Sequence, residues 1–268
     1  MTAARQRWPA SVELAWLAAI HCSEGAQCTA AWRHLAFLEP DNAAVWLLAM
    51  GTALRKHDRP GYEEALQRAA AARIFEPHHG MVFLHARAAI ASLPMPASCL
   101  TPRALASMQK NFGRPPTAAD WADFDAVNAE FAYGTTPGYG ALKPCGARSH
   151  PSGTVRHDCI ALLSLIATGN TLFDQKLAWH MLLDLSPGGA DGVRYRERWR
   201  QVSWLTQEMW LHQGIPAGEI TRQWTQGEVA TVLARAMAEG HWPPPPGWEP
   251  DDAAVVRALS GSGPPPGP

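Results

Sequence analysis

Apolar residues recur at helical spacing along most of this chain, and proline, glycine and short polar breaks close off the segments that carry the pattern. Val12, Trp16, Ala19 and Ile20 share one side of a first helix, and the Ser11 hydroxyl suits its N-cap. Ala31, Leu35 and Leu38 continue the period in a second helix over 28–38, which stops at Glu39-Pro40. Asp41 and Asn42 then cap a third over 42–56, with Val45, Leu48, Ala49 and Thr52 facing one way. Asp58 and Pro60 open a fourth, whose Leu66, Ala69, Ala70 and Ile74 let another helix approach closely before Glu76-Pro77 ends it.

Further helices are expected over 79–91, from Thr101-Pro102, and from Thr117 through Trp121, Phe124, Val127 and Phe131. Residues 134–153 are rich in Gly and Pro and have no helical period, so they mark a boundary between an N-terminal half, 1–133, and a C-terminal half, 154–260. The second half restarts with Cys159, Leu162, Leu163 and Ile166 on one face. Asn170 reads as the cap of a helix over 172–185, and 191–213 as a long helix rich in Arg and Trp. Thr225-Gln226-Gly227-Glu228 has the spacing of a capping box for a helix over 229–239. Pro243–Pro246 reads as a polyproline spacer, 251–259 as a last helix and 261–268 as a disordered tail.

Composition agrees with the periodicity. Hydrophobic residues make up 47% of the chain, Ala is abundant, and Val, Ile and Thr are sparse, which removes most of the material of strands. The expectation is an all-α fold of about a dozen helices arranged as stacked antiparallel hairpins. Twelve tryptophans read as packing anchors, with any exposed members lining a groove.

Leu38-Glu39-Pro40 and Phe75-Glu76-Pro77 mark two breaks in nearly the same words, with the prolines 37 positions apart. Trp46, Ala65, Ala69 and Pro77 occupy roughly the roles of the aromatic, the small residues and the closing proline of the tetratricopeptide repeat, whose period is about 34 residues. The segment therefore resembles a degenerate tetratricopeptide unit. It departs from the pattern at Ala49-Met50 and Ala53, where a Leu-Gly pair and a Tyr belong. Glu39–Val45 is echoed at Glu249–Val255, which either repetition or shared cap chemistry explains. The resemblance implies stacked hairpins that present a groove to a protein or peptide, with Trp46, Tyr62 and Phe83 as groove candidates beside their plainer role in core packing.

The second half resembles uncharacterised helical proteins of Xanthomonas-related gammaproteobacteria. The likeness rests on Cys145, on Asp158-Cys159-Ile160-Ala161-Leu162, on Gly169-Asn170-Thr171-Leu172 and on the Arg/Trp-rich helix. It implies an exported, tetratricopeptide-like protein and no particular activity.

A net charge of −1 and a pI of 6.8 give no basic face for nucleic acid. No run approaches the ~20 apolar residues of a membrane span, and Val12–Ile20 is too short for a signal peptide and is interrupted by Glu13. The five cysteines bear on compartment. Cys22 and Cys28 flank a short polar loop, and Cys145 and Cys159 flank another, so each pair is placed to staple a helix entry, with Cys99 left over. Two bridges imply a periplasmic or secreted protein whose signal is not in this chain; five reduced cysteines would imply a cytoplasmic one.

Phosphate-cradling loops, the helical zinc motif and the Gly-x-Ser-x-Gly elbow are absent, so no cofactor is implied. Three constellations remain. His78, His79 and His85 could share a metal with a further ligand from elsewhere, or His78 and His79 be exposed first-turn residues. His150, His157 and Asp158, beside Cys145 and Cys159, carry an alternative reading as a hydrolase. Arg194, Arg196, Arg198 and Arg200, with Tyr195, Trp199 and Trp204, form a basic-aromatic cluster whose alternating arginines fan around a helix instead of making a phosphate patch. The leading expectation is a non-enzymatic interaction protein of the cell envelope; a purely structural envelope component is a further alternative.

Overall fold

A computed structural model describes residues 10–22, 26–94, 101–133, 138–207, 216 and 218–250, and it is all-α, with no strand among the described residues. Helix α1 spans Val12–Ile20, α2 Ala26–Leu38, α3 Ala43–Arg55, α4 Arg59–Ala71, α5 Met81–Ala91, α6 Pro102–Phe112 and α7 Ala118–Tyr133. Two 3-10 segments, Tyr139–Cys145 and Ala147–Ser149, lead into α8 Gly153–Ile166, α9 Leu172–Leu185, α10 Gly189–Trp204, α11 Glu219–Gln226 and α12 Glu228–Ala238.

Several helix starts are where polar side chains can close them. Ser11, Asn42, Asp58 and Thr101 each accept a hydrogen bond from a first-turn N–H, at Leu14, Ala44, Gly61 and Ala104. A helix start leaves such N–H groups open, and each cap of this kind is worth about 1 kcal/mol.

The helices have a clear order of neighbours. α1 packs on α2, α2 on α3 and α3 on α4; α4 then meets α8, which packs on α9, and α9 on α10. Helices α5–α7 form an excursion from this row, in which α5 packs on α7, and α11 pairs with α12. The main core runs along the row, from Trp16 and Leu35 through Leu47, Met50 and Leu66 to Leu162, Leu163 and Leu182. One satellite core holds Phe83, Met108, Phe112, Trp121, Ala126 and Ile220, and another holds Leu172, Val202, Leu205, Val232 and Ala236.

Two cystines tie this path. Cys22–Cys28 staples α1 to α2, and Cys145–Cys159 ties the end of the first 3-10 segment to α8, where the chain rejoins the row. Closing loops of this length contributes roughly 2–3 kcal/mol apiece on the chain-entropy model.

The two Glu-Pro breaks lie side by side. Ala43 N–H donates to Ile74 O at 2.8 Å, and Arg73 N–H donates to Asp41 O at 2.9 Å. Asn42, only 1% exposed, clamps them together. Its Oδ1 accepts from Ala44 N and Glu76 N, while its Nδ2 donates to Glu76 O at 2.7 Å and Glu39 Oε2 at 3.1 Å. Glu39 also accepts from Trp16 Nε1 at 2.8 Å and meets His78 Nε2 at 2.9 Å. Burial works against charge on Glu39 and His78, but their hydrogen bonds outweigh it, holding the carboxyl below its ordinary pKa and the imidazole above its own.

Several expectations need correction. The Gly/Pro-rich stretch 134–153, expected to lack helical structure, carries two 3-10 segments in its described part. Ala141, Leu142 and Cys145 are buried in the main core, because Tyr62 OH donates to Ala141 O and the cystine pulls the segment inward. Trp46, Tyr62 and Phe83 are buried and line no groove. Trp46 is held edge-on by Trp32 with its Nε1 on Pro40 O, and Phe83 is stacked on Trp224. Thr171, not Asn170, caps α9 through Asp174 N. No side chain caps α12, whose expected capping glutamate is used elsewhere. Cys99 and the expected helix and tail over 251–268 lie outside the described residues.

Replacing Asn42 with Ala is expected to lower stability by roughly 2–4 kcal/mol, a lost cap plus buried groups of Glu76 left unpaired. Denaturant unfolding with the cystines intact measures this, and a loss below about 0.5 kcal/mol would mean that the clamp does not hold the breaks. The His78–Glu39 pair has its own signature. The depressed Glu39 contributes stability above its ordinary 4.5 that fades as pH falls, and the raised His78 contributes below its ordinary 6.5 and fades as pH rises through its folded value. His78→Gln is therefore expected to cost more near pH 5.5 than near pH 9, in unfolding curves recorded at both; equal losses would contradict the pairing.

Candidate functional site

Outside the clamp, a second convergence of ionisable side chains forms at the start of α9. Four segments reach it: the turn before α5, the first 3-10 segment, α9 itself and the start of α12. The local sequence dictates each approach. Pro77 ends the preceding segment, and His78 takes a left-handed φ of 53°, which sends His78 and His79 to different partners. Gly80 follows at φ 90°, and a Cβ there would stand 3.0 Å from the Trp224 ring and 3.1 Å from its carbonyl oxygen, so the turn needs glycine. At Gly169 a Cβ would meet Asp174 and the Ile166 carbonyl at 3.0 Å, so its absence lets the chain fold back tightly onto α9.

Asp174 is the centre. Its side chain is fully buried; Oδ1 accepts a hydrogen bond from the Tyr139 hydroxyl, and Oδ2 lies 3.7 Å from His79 Nε2. Glu228 is half-buried as a residue, but its carboxyl turns inward and accepts from Leu172 N at 2.7 Å, so it caps α9 in place of its own helix. Beside it, Val229 N–H donates to Asn170 O at 3.1 Å. Glu130, buried on α7, accepts from Phe83 N at 2.8 Å.

Electrostatics follow from this enclosure. Burial opposes charge on His79, but the Asp174 carboxylate 3.7 Å away, with those of Glu130 and Glu76 beyond it, raises its pKa overall. Burial pushes Glu228 up to about 7, with Asp174 adding to the rise and the Leu172 N–H and His79 opposing it. Burial and Asp174 likewise push the Tyr139 phenol up, keeping it a donor at ordinary pH.

A carboxylate beside an imidazole is the orienting half of many acid-base sites. Here the hydroxyl nearest the pair, that of Tyr139, is donated to the same carboxylate and is no nucleophile. Two surface hollows, of about 340 and 420 Å³, are lined by residues such as Arg196, Arg200 and Trp248 in one and Glu219, Arg222 and Arg235 in the other, and neither includes the cluster. The arrangement is suited to holding and exchanging protons within a packed junction.

The other candidates do not assemble. His78 goes to Glu39, His79 to Asp174, and His85 is exposed, so the three histidines share no metal. Among the described residues no group of three or more His, Cys, Asp or Glu is placed to hold one. His150 and His157 are exposed and Asp158 is half-buried. Adjacent helical positions such as 157 and 158 point about 100° apart, and the bonded Cys145 and Cys159 supply no thiolate. Arg194 pairs with Asp191 and Arg200 with Glu197, while Tyr195 and Trp199 are buried.

From the sequence His79 reads as a metal ligand or an exposed first-turn residue and Glu228 as a local cap, while Tyr139 and Asp174 do not stand out. One signal was available: Thr171-Leu172-Phe173-Asp174 places an acid three residues after a cap in an otherwise apolar helix start. No protein-family model, no curated protein and no solved structure matches the chain.

Tyr139→Phe removes the donor to a buried carboxylate and is expected to cost roughly 1–3 kcal/mol in denaturant unfolding. A neutral result would mean that Asp174 finds its partner elsewhere.

Proposed function

We propose that this chain is a non-enzymatic α-helical interaction protein of an oxidising compartment outside the cytoplasm, binding a protein or peptide through the outer faces of its helices. The observation that supports the reading is the row α1–α2–α3–α4–α8–α9–α10, in which each helix packs on the next, an order compatible with the stacked hairpins of repeat proteins that bind along one face. The two cystines support the compartment, since such bonds persist where thiols are not kept reduced. The inward commitment of the ionisable groups favours a scaffold over a reaction centre. Phe124 and Phe131 lie seven positions apart on one face of α7, 36% and 73% exposed, and give a partner an aromatic foothold.

Compartment and binding are tested separately. Protein isolated from its host and unfolded without reductant is expected to show one free thiol among its five cysteines, and five free thiols would remove the compartment. A photo-crosslinking residue at position 131 is expected to give one discrete adduct in the intact envelope, lost on Phe124→Ser. Phe124 is partly covered, so this change is expected to cost about 1–2 kcal/mol, with retained folding checked by circular dichroism. No adduct, or one indifferent to Phe124, would sink the binding reading.

A further inference from the structure

Helices α11 and α12 bridge parts of the molecule that otherwise have separate cores. Ile220 of α11, with Trp224 against it, belongs to the satellite core of Phe83, Met108 and Trp121, while Val232 and Ala236 of α12 belong to the one built on Leu172 and Val202. Two polar ties fix the pair in place. At one end the Thr221 hydroxyl donates to the Asp123 carboxylate, which also pairs with Arg87. At the other, the Glu228 carboxyl and Val229 N–H close onto Leu172 and Asn170. Between the two helices stands Gly227, at φ 94°.

We propose that the junction of α12 with the start of α9 is a proton-operated latch, which holds the α11–α12 pair across the two satellite cores when protonated and loosens it when protons are lost. The groups that face one another there come from every packed segment: Glu228 from α12, Asp174 from α9, His79 from the turn before α5 and Tyr139 from the 3-10 segment. Glu130 of α7 and Glu76 of the second break act on His79 through charge. Acidic groups outnumber the imidazole in this set, so the junction relies on its protons.

The direction of the response follows from burial. Glu228 rises from an ordinary 4.5 to about 7, and His79 lies above its ordinary 6.5. Both hold a proton more tightly folded than unfolded, so both contribute stability that is complete below their unfolded values and disappears as pH rises through their folded ones. With both deprotonated, Glu228 and Asp174 stand as two carboxylates beside a neutral ring, with burial opposing each charge.

Hydrogen exchange on the cystine-intact protein at about pH 5.5 and pH 8.5, corrected for intrinsic rates, tests the latch. Protection over 219–238 is expected to fall by on the order of 100-fold at the higher pH, against a few-fold in α3 and α8. Glu228→Gln keeps an oxygen for Leu172 N–H without the titrating proton and is expected to lose much less protection at the higher pH than the wild type, the remaining loss being the share carried by His79. Carbonyl-carbon titration of wild-type protein is expected to find a glutamate midpoint near 7, a measurement independent of the variant's folding. Equal wild-type protection at both pH values, loosening shared equally by α3 and α8, an unchanged loss in Glu228→Gln, or no glutamate titrating above about 5.5 would each overturn the proposal.

Discussion

The side-chain amide of Asn42 satisfies four partners at once, two backbone N–H groups, a backbone carbonyl and a carboxylate, and the placement of the surrounding helices depends on it. Pro40 follows the end of α2, whereas α4 stops at Ala71, before Pro77 is reached; each proline lacks a donor and restricts the preceding residue, which leaves backbone groups to be satisfied at both breaks. One buried amide answers both needs because it donates and accepts in the same plane. Glu39 completes the arrangement by accepting from Trp16, Asn42 and His78, so that α1, the two breaks and the turn before α5 are tied at a single carboxylate.

From this clamp the chain proceeds to the second polar centre through one dipeptide. His78 belongs to the first and His79 to the second, a separation made by the left-handed backbone at His78. Helices α5–α7 then leave the row, and the chain returns where Cys145 is bonded to Cys159 and Tyr62 donates to Ala141 O. Asp174 receives Tyr139 and His79 at this return, linking excursion and row. Most polar atoms at the two centres are hydrogen-bonded, which offsets much of the cost of burying them; Asp174 Oδ2 and Glu130 Oε1 are exceptions and have no hydrogen-bond partner among the described residues. The same pairing leaves Glu228 and His79 sensitive to pH, because their charged forms compete with burial.

Much of the fold was legible from residues alone. The caps at Ser11, Asn42, Asp58 and Thr101, the all-α class and both cystine pairs emerge from spacing and composition. Each is decided within a turn of helix or across a short loop, where the backbone itself brings the groups together. The identical Glu-Pro breaks were visible too, but not that they touch.

What only packing in three dimensions decided is which distant groups meet. Glu228 has the spacing of a cap for its own helix yet serves Leu172, 56 positions away, because α12 is set against α9 by Val232, Ala236 and Leu172. Trp46, Tyr62 and Phe83 read as core with groove as the alternative, and packing decided for core: Trp46 and Tyr62 in the main one, Phe83 in a satellite. His79 has nothing in its neighbourhood of sequence to distinguish it from His78, and its partner lies 95 positions on. Helical periodicity and capping act over about four residues and are written locally; the encounter of His79, Asp174, Tyr139 and Glu228 exists only because four separate segments are packed to one point.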